Sequence, residues 1–207
     1  MSPGKIVAFV CLCMLSLIPL KAQWEIGGLI GFNVAGISVP SGTSSEDYSS
    51  KLGFGLGAVV DRLLTDQIIL HLEPMYLQKG GTIKTSSFTL KFKVNYIELP
   101  ILIKYAFLIN SSLTPYAMAG PSIGLLTSAK YEDESGDTQD EKDNTNGFDF
   151  GLGVGGGVSY PFGNMTFFAE TRYVFGLANI NSESDESKVK NRGLLVFFGV
   201  TVPIGSK

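Results

Sequence analysis

Along most of the chain, apolar side chains recur at every second position. Phe148, Phe150, Leu152, Val154, Val158 and Tyr160 share one parity, and Asp149, Gly151, Gly153, Gly155, Gly157 and Ser159 share the other. Leu52, Phe54, Leu56, Ala58 and Val60 alternate in the same way with Gly53, Gly55, Gly57 and Asp61. Near the C-terminus Leu194, Val196, Phe198, Val200, Val202 and Ile204 alternate with Gly193, Gly199 and Thr201. A period of two is the repeat of an extended strand, whose successive side chains point to opposite faces; a helix repeats near 3.6. The pattern predicts eight strands, at about 24–37, 51–61, 67–79, 93–106, 114–128, 147–160, 165–178 and 192–204, and no amphipathic helix.

Each segment reaches the roughly 9–11 residues that a tilted strand needs to cross a bilayer. The connections alternate in length. Arg62 to Asp66, Phe107 to Leu113 and Pro161 to Asn164 are short, whereas Ser38–Ser50, Gly80–Phe92, Ala129–Asn146 and Asn179–Asn191 are long and polar. Lipid offers an unpaired backbone group no partner, so strands cross a membrane only as a closed barrel. The expected fold is therefore all-β: an eight-stranded antiparallel transmembrane β-barrel with short periplasmic turns and longer extracellular loops. An even strand number puts both termini on the periplasmic side.

Parity also separates lipid from lumen. Ile97, Leu99, Ile101, Ile103 and Tyr105 lie together, opposite Glu98 and Lys104; Phe167, Ala169, Thr171, Tyr173, Phe175 and Leu177 oppose Glu170 and Arg172. Glu73 shares its parity with His71 and Met75. Glu73, Glu98, Lys104, Glu170 and Arg172 are thus expected inside, as a lumen charge network in which Arg172 reaches Glu73 or Glu98. Charges at that depth are paired, because an unpaired one carries its full desolvation cost. Trp24, Tyr76, Tyr105, Tyr160 and Tyr173 are expected in interfacial aromatic girdles.

The first residues read differently. Lys5 precedes an apolar run from Ile6 to Leu20, and Ala22 follows, so residues 1–22 have the features of a cleaved secretory signal peptide and 23–207 form the barrel domain. Cys11 and Cys13 both fall within that segment, which leaves the mature chain without a thiol nucleophile, thiolate metal site or disulfide. The 16 basic residues stand against 19 acidic ones, a net charge of −3; without Lys5 and Lys21 the balance is 14 against 19, or −5. No nucleic-acid partner is expected at that charge.

Candidate chemistry is sparse. Gly53, Gly55 and Ala58 have the spacing of a dinucleotide loop, but the glycines continue the strand period and no helix follows. His71 is the single histidine and makes no zinc site of the usual kind. No catalytic residues, metal or cofactor are expected, and no enzyme. Glu132, Asp133, Glu134, Asp137, Asp140, Glu141 and Asp143 make 129–146 an acidic loop without EF-hand spacing; solvated loop and weak divalent-cation site are both open readings.

Three segments carry a resemblance. Glu73 to Gly81 (EPMYLQKGG), Asn95 to Tyr105 (NYIELPILIKY) and Pro115 to Pro121 (PYAMAGP) resemble characteristic strands of the PorT-type outer-membrane β-barrel family. The resemblance implies an eight-stranded barrel in the outer membrane, mostly without assigned biochemical activity, with some members tied to secretion or surface assembly. The expected function is a structural or interaction role at the cell envelope, with outer-membrane lipid and envelope or extracellular proteins as partners and a monomeric state. The alternative is a narrow, porin-like channel for small solutes. A lumen of eight strands is just wide enough to be filled by its own side chains, whereas the inward glycines of the second and sixth strands suggest free space.

Overall fold

The computed structural model describes residues 23–38, 47–84, 89–182 and 188–204; the expected signal peptide and parts of the long loops lie outside these. Eleven strands occur among the described residues: β1 (Trp24–Ser38), β2 (Asp47–Ser49), β3 (Lys51–Leu63), β4 (Ile68–Leu72), β5 (Met75–Lys84), β6 (Thr89–Ala106), β7 (Thr114–Glu132), β8 (Thr138–Asp140), β9 (Phe148–Phe162), β10 (Met165–Gly176) and β11 (Lys190–Ile204). No helix among them is long and apolar enough to cross a membrane.

Eight wall strands close into a ring. β1 pairs antiparallel with β3 on one side and with β11 on the other. The circuit runs on through β4 and β5, then β6, β7, β9, β10 and back to β11. β4 and β5 are one wall strand. Their register on β6 is continuous, from His71 opposite Leu102 to Met75 opposite Glu98. The ladder is interrupted only where Pro74 and Pro100 each lack an N–H. The carbonyls of both prolines still accept, from Ala58 at 3.0 Å and from Glu73 at 3.2 Å.

Turn chemistry sets the short rim. Phe162 pairs with Met165, leaving a two-residue loop in which Gly163 takes a φ of 63°. Glycine with positive φ at the first central position is the pattern of a type II′ hairpin, whose twist matches the flanking strands. On the long-loop side the wall rises higher than the sequence pattern indicates. β5 and β6 continue through most of the expected loop Gly80–Phe92, and β7 runs to Glu132 before turning into β8. β2 and β8 extend this raised part of the sheet, on β5 and β7 respectively.

The outward parity is apolar around the ring. Ile30, Phe54, Ile97, Leu125, Val154, Phe175 and Phe198 are all exposed on the outer face, an arrangement that is stable only against lipid. Aromatic pairs mark two levels: Tyr105 with Phe107 and Phe162 with Phe167 beside the short turns, and Phe54 with Tyr76 and Tyr173 with Phe175 farther along the strands.

Candidate functional site

The inward parity fills the barrel with alternating apolar and charged tiers. Leu29, Val59, Met75, Leu77, Phe168, Val174, Leu195 and Phe197 form a buried apolar cluster in the wall interior. Toward the long loops, Phe92, Val94, Tyr96, Ala129 and Ile180 form a second; nearer the short turns, Leu102, Tyr116 and Met118 form a third. The inward glycines hold no open path. A Cβ at Gly55 would meet the Phe197 ring at 2.8 Å, one at Gly157 would meet the Tyr116 hydroxyl at 2.6 Å, and one at Gly153 would meet Arg172 Cδ at 3.0 Å. The space expected along β3 and β9 is occupied by the large side chains of neighbouring strands.

All five network residues named from the sequence are buried: Glu73, Glu98, Lys104, Glu170 and Arg172 are each less than 5% exposed. They fall into two groups rather than one. In the group nearer the short turns, Arg172 Nη2 donates to Glu73 Oε2 at 2.6 Å, and its Nη1 lies 3.7 Å from Glu170 Oε1. Lys104 Nζ is 3.5 Å from Glu170 Oε2, which also accepts from the Tyr116 hydroxyl at 2.9 Å. The same ammonium lies over the Tyr116 and Phe168 rings, 4.6 and 5.0 Å from their centroids. His71 joins this group: its Nε2 is 2.6 Å from Glu73 Oε1, and its Nδ1 contacts Asp61. Both ring nitrogens face carboxylates, and only a doubly protonated imidazole supplies two donors. In that form Asp61, Glu73 and Glu170 are balanced by His71, Lys104 and Arg172.

The second group lies nearer the long loops. Lys79 pairs with Glu98 and, at 3.1 Å, with Asp149. Ser122 donates to Glu98, and Asn191 donates to Asp149 at 2.9 Å. Arg172 therefore reaches Glu73 across the ring, while Glu98 pairs with Lys79. Asp61, Lys79, Asp149, Tyr116, Ser122 and Asn191 were not among the residues expected in the network. Asp61 and Asp149 carried a readable signal, being carboxylates on the glycine parity of their strands; Lys79 lies on the parity of Glu73.

Donor atoms of His71, Glu73 and Glu170 all lie within 4.8 Å of one another. Arg172 and Lys104 sit against these carboxylates as counter-charges, so the trio is an ion-pair centre before it is a metal cage. A cavity of about 240 Å³ opens at the short-turn rim, lined by Glu25, Asp61, Asp66, Lys104, Tyr116 and Thr201 among others. On the far side of the ion-pair group, beside Lys79, Asp149 and Asn191, lies a cavity of about 10 Å³, room for one water at most.

A closed ring of eight antiparallel strands, an apolar exterior and a charged interior define a transmembrane β-barrel of the outer membrane. Residues 19–182 match the outer membrane protein beta-barrel domain family, and the chain belongs to it. The backbone is similar to Neisserial surface protein A, with a TM-score of 0.54 and 20% identity over 88% of this chain and 98% of that one. It is also similar to a major outer membrane protein from Thermus thermophilus, with a TM-score of 0.55 and 10% identity over 89% and 100% of the two chains. No curated protein matches the chain in sequence. The family places the protein in the outer membrane and indicates no enzyme class.

Proposed function

We propose that the protein is a plugged barrel, serving a structural or interaction role at the cell envelope through its long-loop rim. The observation that carries this reading is the filled lumen. Among the described residues, charged tiers are bridged across the ring with apolar clusters between them, a vestibule opens at the short-turn rim, and the cavity beside Lys79 holds one water at most. The resemblance of the Glu73, Asn95 and Pro115 segments to PorT-type barrels supports a role in envelope assembly or secretion. In this reading residues 1–22 are a signal peptide, the long loops are extracellular, the protein is a monomer, and Glu73, Glu98, Lys104, Glu170 and Arg172 act as the plug.

Planar-bilayer recording tests it. The wild-type barrel is expected to give no steady conductance. Reproducible single-channel steps from wild-type protein would overturn the plug and establish the alternative, a narrow channel. The vestibule is what keeps that alternative in play, since it ends on Lys104 and Asp61, members of the ion-pair group. Topology has its own test. A cysteine at Ser135 is expected to react with an impermeant thiol reagent on intact cells, and one at Gly163 to stay unreactive; the opposite pattern would invert the barrel.

A further inference from the structure

The outer face of β6 changes character along its length. Tyr105, Ile103, Ile101, Leu99 and Ile97 face lipid, followed by Asn95, Lys93 and Lys91 on the same parity. At about 3.4 Å per residue and a tilt near 40°, Ile97 lies about 20 Å beyond Tyr105 and Lys93 about 30 Å. An outer-membrane apolar band is about 25 Å tall, so the two lysines stand at headgroup height.

A β-bulge brings partners to them. The register between β6 and β7 shifts at Asn95/Tyr96: Tyr96 pairs with Leu126, but Asn95 pairs with Ser128. Before the shift even-numbered residues of β7, such as Ser122 and Gly124, face inward; beyond it Ala129 is the buried one. Lys130 and Glu132 are thereby turned outward, opposite Lys93 and Lys91. Glu132 accepts from Lys93 and lies 3.6 Å from Lys91 Nζ. Lys51, at the start of β3, is within electrostatic reach of Lys91, Lys93 and Glu132. Two ammonium groups thus pair with one carboxylate, Lys51 lies within electrostatic reach of it, and Lys130 stands opposite Lys93 on one side and Asp140 on the other.

Like charges directly opposite on a sheet cost stability, and the cluster is positive in a chain whose net charge is −3. Below it are exposed Leu52, Ile97 and Leu125. A phosphate above and acyl chains below is the chemistry this surface complements. We propose that Lys51, Lys91, Lys93 and Lys130 form a binding site for the phosphorylated headgroup of an outer-leaflet lipid, with Glu132 spacing the lysines. The inference rests on the topology proposed above.

The test is native mass spectrometry of the folded barrel released from phosphatidylcholine nanodiscs with and without diphosphorylated lipid A. The wild type is expected to retain lipid A. Each lysine near an anionic surface contributes roughly a five-fold factor, so the Lys91→Gln/Lys93→Gln variant is expected to retain it at least about ten-fold less. Glu132→Gln, which removes the competing carboxylate, is expected to retain more. Equal retention by wild type and the lysine variant, in barrels of matching circular dichroism, would overturn the site. Complete displacement by millimolar inorganic phosphate would overturn the lipid as its occupant. Cysteine labelling at Ser135 is independent of lipid, and so separates failure of the topology from failure of the site.

Discussion

The two charged groups in the lumen solve the same problem by different means. Around Arg172 full charges compensate one another: three carboxylates, two long cations and His71, drawn from β3, β6, β10 and the wall strand that β4 and β5 make together. Around Lys79 a single cation serves two carboxylates, and each carboxylate also accepts from one neutral donor, Glu98 from the Ser122 hydroxyl and Asp149 from the Asn191 amide. The first group depends on charge balance and fails when one ion is removed. The second keeps part of its solvation from hydrogen bonds that survive the loss of its cation. A buried pair is expensive to break and much cheaper to replace as a whole, so the two groups should respond differently to the same kind of substitution.

The largest effect is expected at Arg172. Removing it leaves Glu73 and Glu170 facing each other with Lys104 and His71 alone, and Arg172→Ala should lower stability by about 3–5 kcal/mol, less to the extent that water enters. The denaturant midpoint in detergent measures this, and an unchanged midpoint would mean that Arg172 holds no buried partner. If the ion pair also acts as a gate, the same variant will conduct where the wild type does not.

Lys79→Met should cost less, about 1.5–3 kcal/mol, because Glu98 and Asp149 keep their neutral donors. A loss equal to or greater than that of Arg172→Ala would erase the distinction between the groups. Next comes Gly157→Ala, whose new Cβ would press on the Ala169 backbone carbonyl and lie 2.6 Å from the Tyr116 hydroxyl that donates to Glu170. Overpacking of this kind costs about 1–3 kcal/mol, and combination with Tyr116→Phe should be non-additive, since both alter the packing at the Tyr116 hydroxyl, while the clash with the Ala169 carbonyl remains. The smallest effect belongs to the outer rim. Lys91→Gln in detergent should change stability by less than about 0.5 kcal/mol, as exposed ion pairs do.

Much of this was legible in a period-two pattern. The apolar run Ile97 to Tyr105 and the glycine-backed run Phe148 to Tyr160 named the lipid face of their strands, and by exclusion placed Glu98, Lys104 and Asp149 inside. Strand identity survived even Pro74, because Glu73, Met75 and Leu77 keep their parity across it and the ring holds the register on both sides. Loop limits were less legible. Gly80 to Lys84, Thr89 to Phe92 and Ala129 to Glu132 stand above the lipid, yet they remain strand, since ladder hydrogen bonds extend beyond the membrane when two neighbours continue together.

By itself the sequence determined which face of each strand meets lipid, because side-chain alternation is a property of the strand backbone alone. Three things were decided only by the tertiary structure. Which charges meet depends on the closure of the ring, which sets Arg172 across from Glu73, 99 positions away in sequence, and leaves Glu98 to Lys79. Whether glycines open a path or admit a neighbour depends on side chains from other strands, here Phe197, Tyr116 and Arg172. The outward turn of Lys130 and Glu132 depends on a bulge, where one extra residue in β7 reverses parity without leaving a mark in the hydrophobic pattern. Each is a relation between strands distant in sequence, and a local repeat carries no information about its partner.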